Sequence, residues 1–307
     1  MREPEGVSYV LVTPARNEEA HIEKTIRSVV SQTLPPKKWV IVSDGSTDRT
    51  DEIVGKYLKD NPWMELVRMP ERRERTFAAK VHGFNAGYER VKDISYEIIG
   101  NLDADVSFES DFMEFLMGKF AEIPDLGVAG TPFVENGYSS IKDSFEGEKH
   151  VSGQVQLFRK SCFEGIGGYV PHKAGGIDWI AVTTARMMGW KTQSFKEKYF
   201  HHHRPLGTGG SNTTYGALFH YGRKDYYLGG HPLWEAFRIA YRIAKKPVVL
   251  GSVALASGYL WAAMTRMERP VSRELVRFHR GEQMDKLKAI LKGLLRFKKI
   301  DHFRINP

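Results

Sequence analysis

Cysteine is almost absent from this sequence. Cys162 is the single cysteine in 307 residues, which excludes an internal disulfide framework and fits a reducing compartment. Two glycine-rich nucleotide motifs are missing as well. Without a Walker A or a G-x-G-x-x-G sequence, neither a P-loop NTPase nor a Rossmann-type dinucleotide-binding protein is supported. The N-terminus is polar and the first apolar run is only as long as a strand, so we expect no signal peptide.

Acidic residues are scarce in the last third of the chain. Residues 201–307 hold 19 lysines and arginines against 7 acidic residues, whereas residues 1–200 hold 26 against 30. A mildly acidic body therefore carries a strongly basic C-terminal region, and the net charge is +8. This asymmetry predicts an anionic partner, which is either nucleic acid or a phospholipid surface.

What the chain does have is an alternation of short apolar runs with helical patterns. Strands that alternate with helices in this way indicate βαβ units, and hence an α/β fold with a mostly parallel sheet flanked by helices. The predicted strands are 8–12, 39–42, 65–69, 96–102, 127–133, 154–158 and 191–200, and the predicted helices are 22–30, 50–58, 77–91, 112–120 and one that opens near 177.

Three polar loops follow predicted parallel strands, at residues 13–19, 43–48 and 103–105. Open α/β sheets bind ligands at the carboxyl ends of their strands, so the three loops are expected to form one crevice. Asp103 and Asp105 end a buried run and require a cationic partner there. Because Mg²⁺ typically binds one or two carboxylates together with substrate phosphates, the pair predicts a metal–diphosphate site. The alternative interpretation is a polar turn that only closes the strand.

Six stretches carry a family resemblance. They are Thr13-Pro14-Ala15-Arg16-Asn17-Glu18-Glu19, Val42-Ser43-Asp44-Gly45-Ser46-Thr47-Asp48, Asn101-Leu102-Asp103-Ala104-Asp105, Phe163-Glu164-Gly165-Ile166-Gly167-Gly168-Tyr169, Gly176-Ile177-Asp178-Trp179 and the His/Arg stretch at 201–204. In this order they resemble family-2 glycosyltransferases of the GT-A fold, over roughly residues 7–205. The resemblance implies inverting transfer of a sugar from a nucleoside-diphosphate sugar, with Mn²⁺ or Mg²⁺ and without a covalent intermediate.

The resemblance also assigns roles to individual residues. Asp103 and Asp105 match the DXD pair that holds the metal, and His203, beside Arg204, is the preferred third metal contact. The residues expected to contact the donor are Thr13, Pro14, Arg16, Glu18, Asp44, Lys80, Asp103 and Arg204. As an alternative interpretation, Asp44 only shapes a turn, Lys80 is a solvated helix lysine, and any one of the three histidines lies in a surface loop.

Asp178 is the predicted general base. Inverting chemistry requires one carboxylate to take the proton of the acceptor hydroxyl. Asp178 follows two glycines at a predicted helix start, where the backbone permits close approach of a substrate. Many relatives carry a second acid directly before this aspartate, but here the position is Ile177, so Asp178 is the only carboxylate of the motif. A helix cap is the alternative interpretation.

The basic C-terminal region is predicted to associate with a membrane. Residues 231–246 and 284–300 read as basic amphipathic helices, and residues 247–265 contain no charge. Such helices suit the interface of an anionic membrane better than nucleic acid, for which no recognised motif is present. An ordinary helix of the protein core is the alternative for residues 247–265.

We therefore expect a catalytic domain at 1–215, a helical region at 216–307, and a peripheral or monotopic location on the cytoplasmic face of the cell membrane.

The basic region and the motifs also indicate the kind of acceptor and the alternative functions. A basic, membrane-seeking region favours a glycan or polyprenyl-linked acceptor, and the absence of the Gln-x-x-Arg-Trp signature favours addition of a single sugar. A sugar-nucleotide nucleotidyltransferase is one alternative, although its glycine-rich basic loop after the first strand is missing. A non-catalytic membrane-attached sugar-nucleotide-binding protein is the other. The donor sugar, the nucleobase and the oligomeric state are left open.

Overall fold

A computed structural model describes residues 7–71, 77–135, 138–140, 147–204 and 213–296. By its internal contacts the chain divides into Met1–Arg204 and Pro205–Pro307. The boundary predicted after residue 215 stays a prediction, and that position lies in the first turn of a helix that begins at Thr214.

The first unit contains eleven strands and six helices among the described residues. They are β1 (Tyr9–Ala15), α1 (Ile22–Val30), β2 (Lys38–Asp44), α2 (Thr50–Leu58), β3 (Met64–Met69), α3 (Phe77–Tyr88), β4 (Ile98–Leu102), β5 (Val106–Ser107), α4 (Phe112–Glu122), β6 (Leu126–Gly130), β7 (Phe133–Glu135), β8 (Tyr138–Ser139), β9 (Val155–Arg159), α5 (Lys160–Gly165), α6 (Ile177–Met187), β10 (Lys191–Ser194) and β11 (Phe200–His202).

A seven-stranded sheet organises this unit, in the order β10-β6-β9-β4-β1-β2-β3. Strand β1 lies between β2 and β4 and is parallel to both, with Val12 opposite Asn101 and Thr13 opposite Ile41. Only β9 runs antiparallel to its neighbours β4 and β6. The prediction of a mostly parallel sheet flanked by helices is therefore confirmed, and the loops after β1, β2 and β4 leave the sheet at the same edge.

Alternation along the strands separates two apolar layers. Leu11 and Trp39 are fully buried on one face, and Val10, Val12 and Val40 are fully buried on the other. Helix α3 approaches the second face closely, because a Cβ added at Gly87 would lie 2.4 Å from Val12 Cγ1. This contact fixes α3 against the strand that ends at the predicted crevice.

A second, four-stranded sheet has the order β5-β11-β7-β8 and was not predicted. Its strands are two or three residues long, too short for a clear alternation pattern. The single strands predicted at 127–133 and 191–200 were wrong, because each divides between the two sheets. In the first, the break includes Pro132, which has no N–H to donate to a strand ladder.

The second unit is helical. Its described helices are α7 (Thr214–Tyr227), α8 (Pro232–Arg242), α9 (Leu250–Met264) and α10 (Arg273–Leu295). Ser272 caps α10 by accepting a hydrogen bond from Leu275 N, and Thr213 caps α7 in the same way from Gly216 N. Over residues 213–296 and the other described ranges, no helix is both long and apolar enough to cross a bilayer.

Candidate active site

The two acids that follow β4 lie at the carboxyl edge of the large sheet. Asp103 forms an ion pair with Lys80 of α3, at 2.5 Å between Oδ1 and Nζ. The side chain of Asn101, in β4 itself, donates to the same carboxylate oxygen at 3.3 Å and to the carbonyl of Gly153 at 2.6 Å. The predicted metal-binding acid Asp103 and the predicted phosphate-binding Lys80 are therefore in direct contact.

Asp105 faces two cationic side chains from the segment that contains β11. His202 Nε2 lies 3.6 Å from its Oδ2 oxygen, and Arg204 Nε lies 3.5 Å from the same atom. Glu135 Oε2 contacts the other ring nitrogen of His202, Nδ1, at 2.9 Å. Strands β7 and β11 are parallel, and Val134 is opposite His201. Glu135 and His202 are therefore the next pair along the two strands. The small second sheet thus brings an aligned Glu–His pair to Asp105.

His203, the predicted third metal contact, lies elsewhere. Its Nε2 is 2.8 Å from the hydroxyl of Ser107, and its ring stacks on His21. Successive side chains of a strand point to opposite faces, so only one of two neighbouring histidines can face Asp105. The structure places His202 there, and a metal-binding role for His203 stays a prediction.

Arg204 joins the loop after β1 to the acid pair. It forms an ion pair with Glu18, which is buried, while its Nε contacts Asp105. The loop after β1 is in turn bonded to the loop after β2: the Asn17 side chain accepts from Thr47 N at 2.8 Å, and Glu18 N donates to Thr50 Oγ1 at 2.8 Å. These contacts bring the three strand-end loops together, as predicted, at the position of the expected crevice.

The remaining predicted donor contacts line the β1 and β2 side of this crevice. Asp44 is the last residue of β2 and is buried. Thr13 is fully buried, and its hydroxyl accepts a hydrogen bond from the Trp39 indole N–H at 2.9 Å, so its side chain belongs to the core. Pro14 is partly exposed at the end of β1, and so is Arg16 in the loop that follows.

Asp178, the predicted base, is in the first turn of α6 and is partly exposed. It is not the cap of that helix, because Gly176 occupies the N-cap position with a φ of 84° that favours glycine. Gly153 separates Asp178 from the acid pair. A Cβ added there would lie 2.7 Å from Asp178 Cβ, and the Gly153 carbonyl is the group that Asn101 and Lys80 contact. Gly153 therefore links Asp178 to Lys80 and Asn101, the two residues that contact Asp103.

The electrostatics of the two aspartates differ. Burial and the neighbouring charge of Asp105 raise the pKa of Asp103, although the ammonium of Lys80 opposes this shift. Burial also acts to raise the pKa of Asp105, but His202 and Arg204 outweigh it and bring that pKa below its ordinary value. Two adjacent carboxylates whose pKa values are pushed apart are a common feature of functional sites.

The donor set fits a hard divalent cation. Carboxylate oxygens are the ligands that Mg²⁺ and Mn²⁺ prefer, and Asp103 and Asp105 supply them side by side. Across the described ranges no three His, Cys, Asp or Glu side chains converge on a position that could hold a metal.

Three residues of the site were missed by sequence reasoning. Gly153 and Glu135 lie outside every recognised motif, and His202 was passed over in favour of its neighbour. The signal for His202 was present in the two-residue period of a strand. The period shows that neighbouring histidines face opposite ways, but which of them faces the acids depends on the strands that pair with this one.

The sequence matches the family model described as glycosyl transferase family 2 over residues 10–176. Among curated proteins it is 27% identical to a poly-beta-1,6-N-acetyl-D-glucosamine synthase of Staphylococcus epidermidis, over 62% of this chain and 46% of that protein. It is 28% identical to the corresponding synthase of Staphylococcus aureus, over 54% of this chain and 42% of that protein. The chain spans less than half the length of these curated relatives.

Solved structures show the same fold at low identity. A mannosyltransferase of Pyrobaculum calidifontis, solved with GDP-Man and Mn²⁺, matches with a TM-score of 0.55 and 18% identity, over 98% of this chain and 88% of that one. Residues 1–349 of S. aureus TarS, solved with UDP-GlcNAc, match with a TM-score of 0.55 and 15% identity, over 97% and 90%. GalNAc-T7, solved with UDP, GalNAc and Mn²⁺, matches with a TM-score of 0.58 and 14% identity, over 99% and 59%.

Proposed function

Because the chain belongs to glycosyl transferase family 2, we propose that it moves a sugar, with inversion, from a nucleoside-diphosphate sugar to a hydroxyl group of a glycan acceptor. The observation that carries this proposal is the arrangement around Gly153. Lys80, which pairs with Asp103, contacts the Gly153 carbonyl, and Asp178 packs against the same glycine, so the predicted base and the predicted metal site are close together. Sugar transfer with inversion needs both groups near the anomeric carbon, since the attacking hydroxyl and the leaving diphosphate are on its opposite sides.

The donor is proposed to bind along the crevice formed by the three loops. The Thr13–Pro14 backbone and Asp44 receive the nucleoside, Arg16 lines the same end, and Glu18 contacts the ribose. Lys80 and Arg204 already lie at Asp103 and Asp105, and their N–H groups are suited to phosphate oxygens. Solved structures of the same fold contain UDP- or GDP-sugars, so both nucleobases are candidates.

Asp103 and Asp105 would hold Mn²⁺ or Mg²⁺, and when bound the cation stabilises negative charge on the leaving diphosphate as a Lewis acid. Asp178 takes the proton of the acceptor hydroxyl as that oxygen attacks. Its place at the start of α6 leaves it partly exposed, which a group that must meet an acceptor requires. No covalent sugar–enzyme intermediate is needed.

The acceptor is proposed to be a glycan or polyprenyl-linked hydroxyl. The curated relatives are named for a polysaccharide product, but the chain lacks the Gln-x-x-Arg-Trp signature, so we propose that it adds a single sugar to each acceptor. A product of defined length, rather than a ladder of lengths, is the result expected from mass spectrometry of the reaction.

The replacement Asp178→Asn tests the assignment of the base. Asparagine keeps the size of the side chain but accepts no proton at neutral pH, so transfer should fall at least about 100-fold, the lower end of what a general base contributes. Nucleotide binding should be unchanged. It would be measured by thermal shift with UDP and GDP, with Mn²⁺ or with EDTA, since only a nucleotide that binds the folded chain raises its melting temperature.

Asp60→Asn is the matched control, because Asp60 is an exposed aspartate at the end of α2. It should leave both transfer and binding unchanged. Turnover by Asp178→Asn at the wild-type rate would show that another group is the base. A wild-type chain that binds a nucleotide with Mn²⁺ but transfers to no acceptor would instead favour a non-catalytic binding protein.

A further inference from the structure

The outward face of α9 is mostly apolar, and the exposed Ser257, whose hydroxyl donates to the carbonyl of Ala254, is the polar residue near its centre. Leu250, Val253, Leu260 and Met264 recur at helical spacing and are between 57% and 76% exposed. Trp261 extends the same face, and the preceding residues Val248 and Val249 are about half exposed as well. A contiguous apolar surface of this kind marks a site of contact with a protein or a membrane. We refer to residues 248–264 as the α9 face.

The inward side of α9 consists mainly of small residues. Gly251, Ser252, Gly258 and Ala262 are buried there, with Leu255 as the one large side chain among them. A Cβ added at Gly258 would lie 2.0 Å from the carbonyl oxygen of a residue in α7, so the two helix backbones are in contact. Helices at a water-exposed surface bury their large apolar side chains. Helix α9 does the reverse, as helices in lipid do, where small residues mediate contacts between helices.

Basic residues flank the α9 face at both ends. No charged residue occurs from Pro247 to Thr265, whereas Lys245 and Lys246 precede this stretch, and Arg266 and Arg269 follow it with one acid, Glu268, between them. Lys246, Arg266 and Arg269 are exposed. Long basic side chains at the ends of an apolar helix can lie along the apolar surface while their charges reach anionic headgroups. A purely apolar protein partner would gain nothing from this distribution of charge.

We propose that the α9 face inserts into the interface of an anionic lipid bilayer, with α9 parallel to the membrane plane. A helix of 15 residues is about 22 Å long, shorter than the roughly 30 Å hydrocarbon core, so it lies in the interface and does not span. Each basic side chain near an anionic surface strengthens binding about fivefold. Attachment in this way would bring the enzyme to a polyprenyl-linked acceptor. The proposed membrane binding does not depend on which sugar nucleotide is the donor.

Vesicle flotation tests the proposal with the full chain and without any transfer reaction. Vesicles of phosphatidylcholine with about 30 mol% phosphatidylglycerol, an anionic lipid, would be compared with vesicles of pure phosphatidylcholine. We expect wild-type protein to float with the anionic vesicles, to bind neutral vesicles at least tenfold more weakly, and to be released in part by high salt. Leu260→Glu should weaken binding to anionic vesicles at least tenfold, because it places a charge in the middle of the α9 face.

Met188→Glu is the matched control, since Met188 is a 51% exposed apolar residue of the first unit, outside the α9 face. It should bind vesicles like the wild type. The proposal is overturned if wild-type protein ignores anionic vesicles, or if the two variants bind equally well. It is also overturned if sedimentation shows a wild-type dimer that Leu260→Glu dissociates, because the face would then be an interface between two copies.

Discussion

The replacement Gly153→Ala should separate the two halves of the active site. The new Cβ would lie 2.7 Å from Asp178 Cβ, 3.1 Å from its Cγ and 3.2 Å from its Oδ2. Carbon atoms in ordinary contact are about 3.5–4.0 Å apart, so Asp178 or the backbone at 153 must move by about 1 Å. The backbone has little freedom, because its carbonyl is held by Asn101 at 2.6 Å. Most of the displacement therefore falls on Asp178.

A displacement of about 1 Å from the productive geometry typically costs on the order of 100-fold in rate. That loss corresponds to about 2.7 kcal/mol of activation free energy. A methyl group forced into a buried position also destabilises the folded chain, by about 1–3 kcal/mol. Transfer should accordingly fall about 100-fold while the variant remains folded at room temperature and still binds nucleotide.

The assay is kcat/KM for transfer, together with a urea denaturation curve and a nucleotide thermal shift. Gly55→Ala is the control: apart from the backbone of its own helix and its chain neighbours, no atom lies within 4 Å of a Cβ built there, and alanine in a helix interior should stabilise the chain by about 1 kcal/mol. A folded Gly153→Ala protein with wild-type kcat/KM would refute the reasoning, because Asp178 could then tolerate displacement. Loss of nucleotide binding as well would place the damage at Asp103.

Two further substitutions, one in each unit, test contributions to the free energy of unfolding. Burial raises the pKa of Glu235 in α8 from 4.5 to about 8, and the nearby charge of Asp225 adds to this while Arg238 opposes it. The folded chain therefore holds a proton that the unfolded chain releases, so the free energy of unfolding should fall as pH rises from about 5 to about 8. Glu235→Gln should flatten this dependence in urea denaturation series, while Glu274→Gln, at an exposed position, should not. Thr13→Val should lower the free energy of unfolding by about 1–3 kcal/mol, measured in the same way, because the buried Trp39 N–H loses its acceptor.

The large sheet could be predicted from the sequence because local patterns determine it. Each strand that ends in the crevice is a buried apolar run followed by polar loop residues, and parallel neighbours must end at one edge. The predicted helix 50–58 agrees with α2, Thr50–Leu58, residue for residue. Lys80 could be placed near the acids only because α3 precedes β4 in the chain and packs on β1.

The second sheet could not be predicted, because strands of two or three residues carry too little pattern. The sheet that these short strands form depends on pairing between segments distant in sequence, such as 133–135 with 200–202. The choice between His202 and His203 depended on that pairing. Gly153 is a similar case, since nothing in its neighbourhood in the sequence reveals that Asp178 packs against it. The missed features are those fixed by contacts between distant segments.

The balance of charge around Asp105 bears on how the donor and a cation bind together. Four carboxylates meet three cationic side chains even when His202 is counted as protonated: Asp103, Asp105, Glu18 and Glu135 against Lys80, His202 and Arg204. A nucleoside diphosphate adds negative charge to a site that is already negative, so the bare nucleotide should bind weakly and a dication should reverse the balance. Lys80 has three N–H donors and contacts Asp103 and the Gly153 carbonyl, and Arg204 has five and contacts Glu18 and Asp105. Each side chain has more donors than these contacts use, so we propose that both neutralise the acids and contact the phosphates of the donor at once.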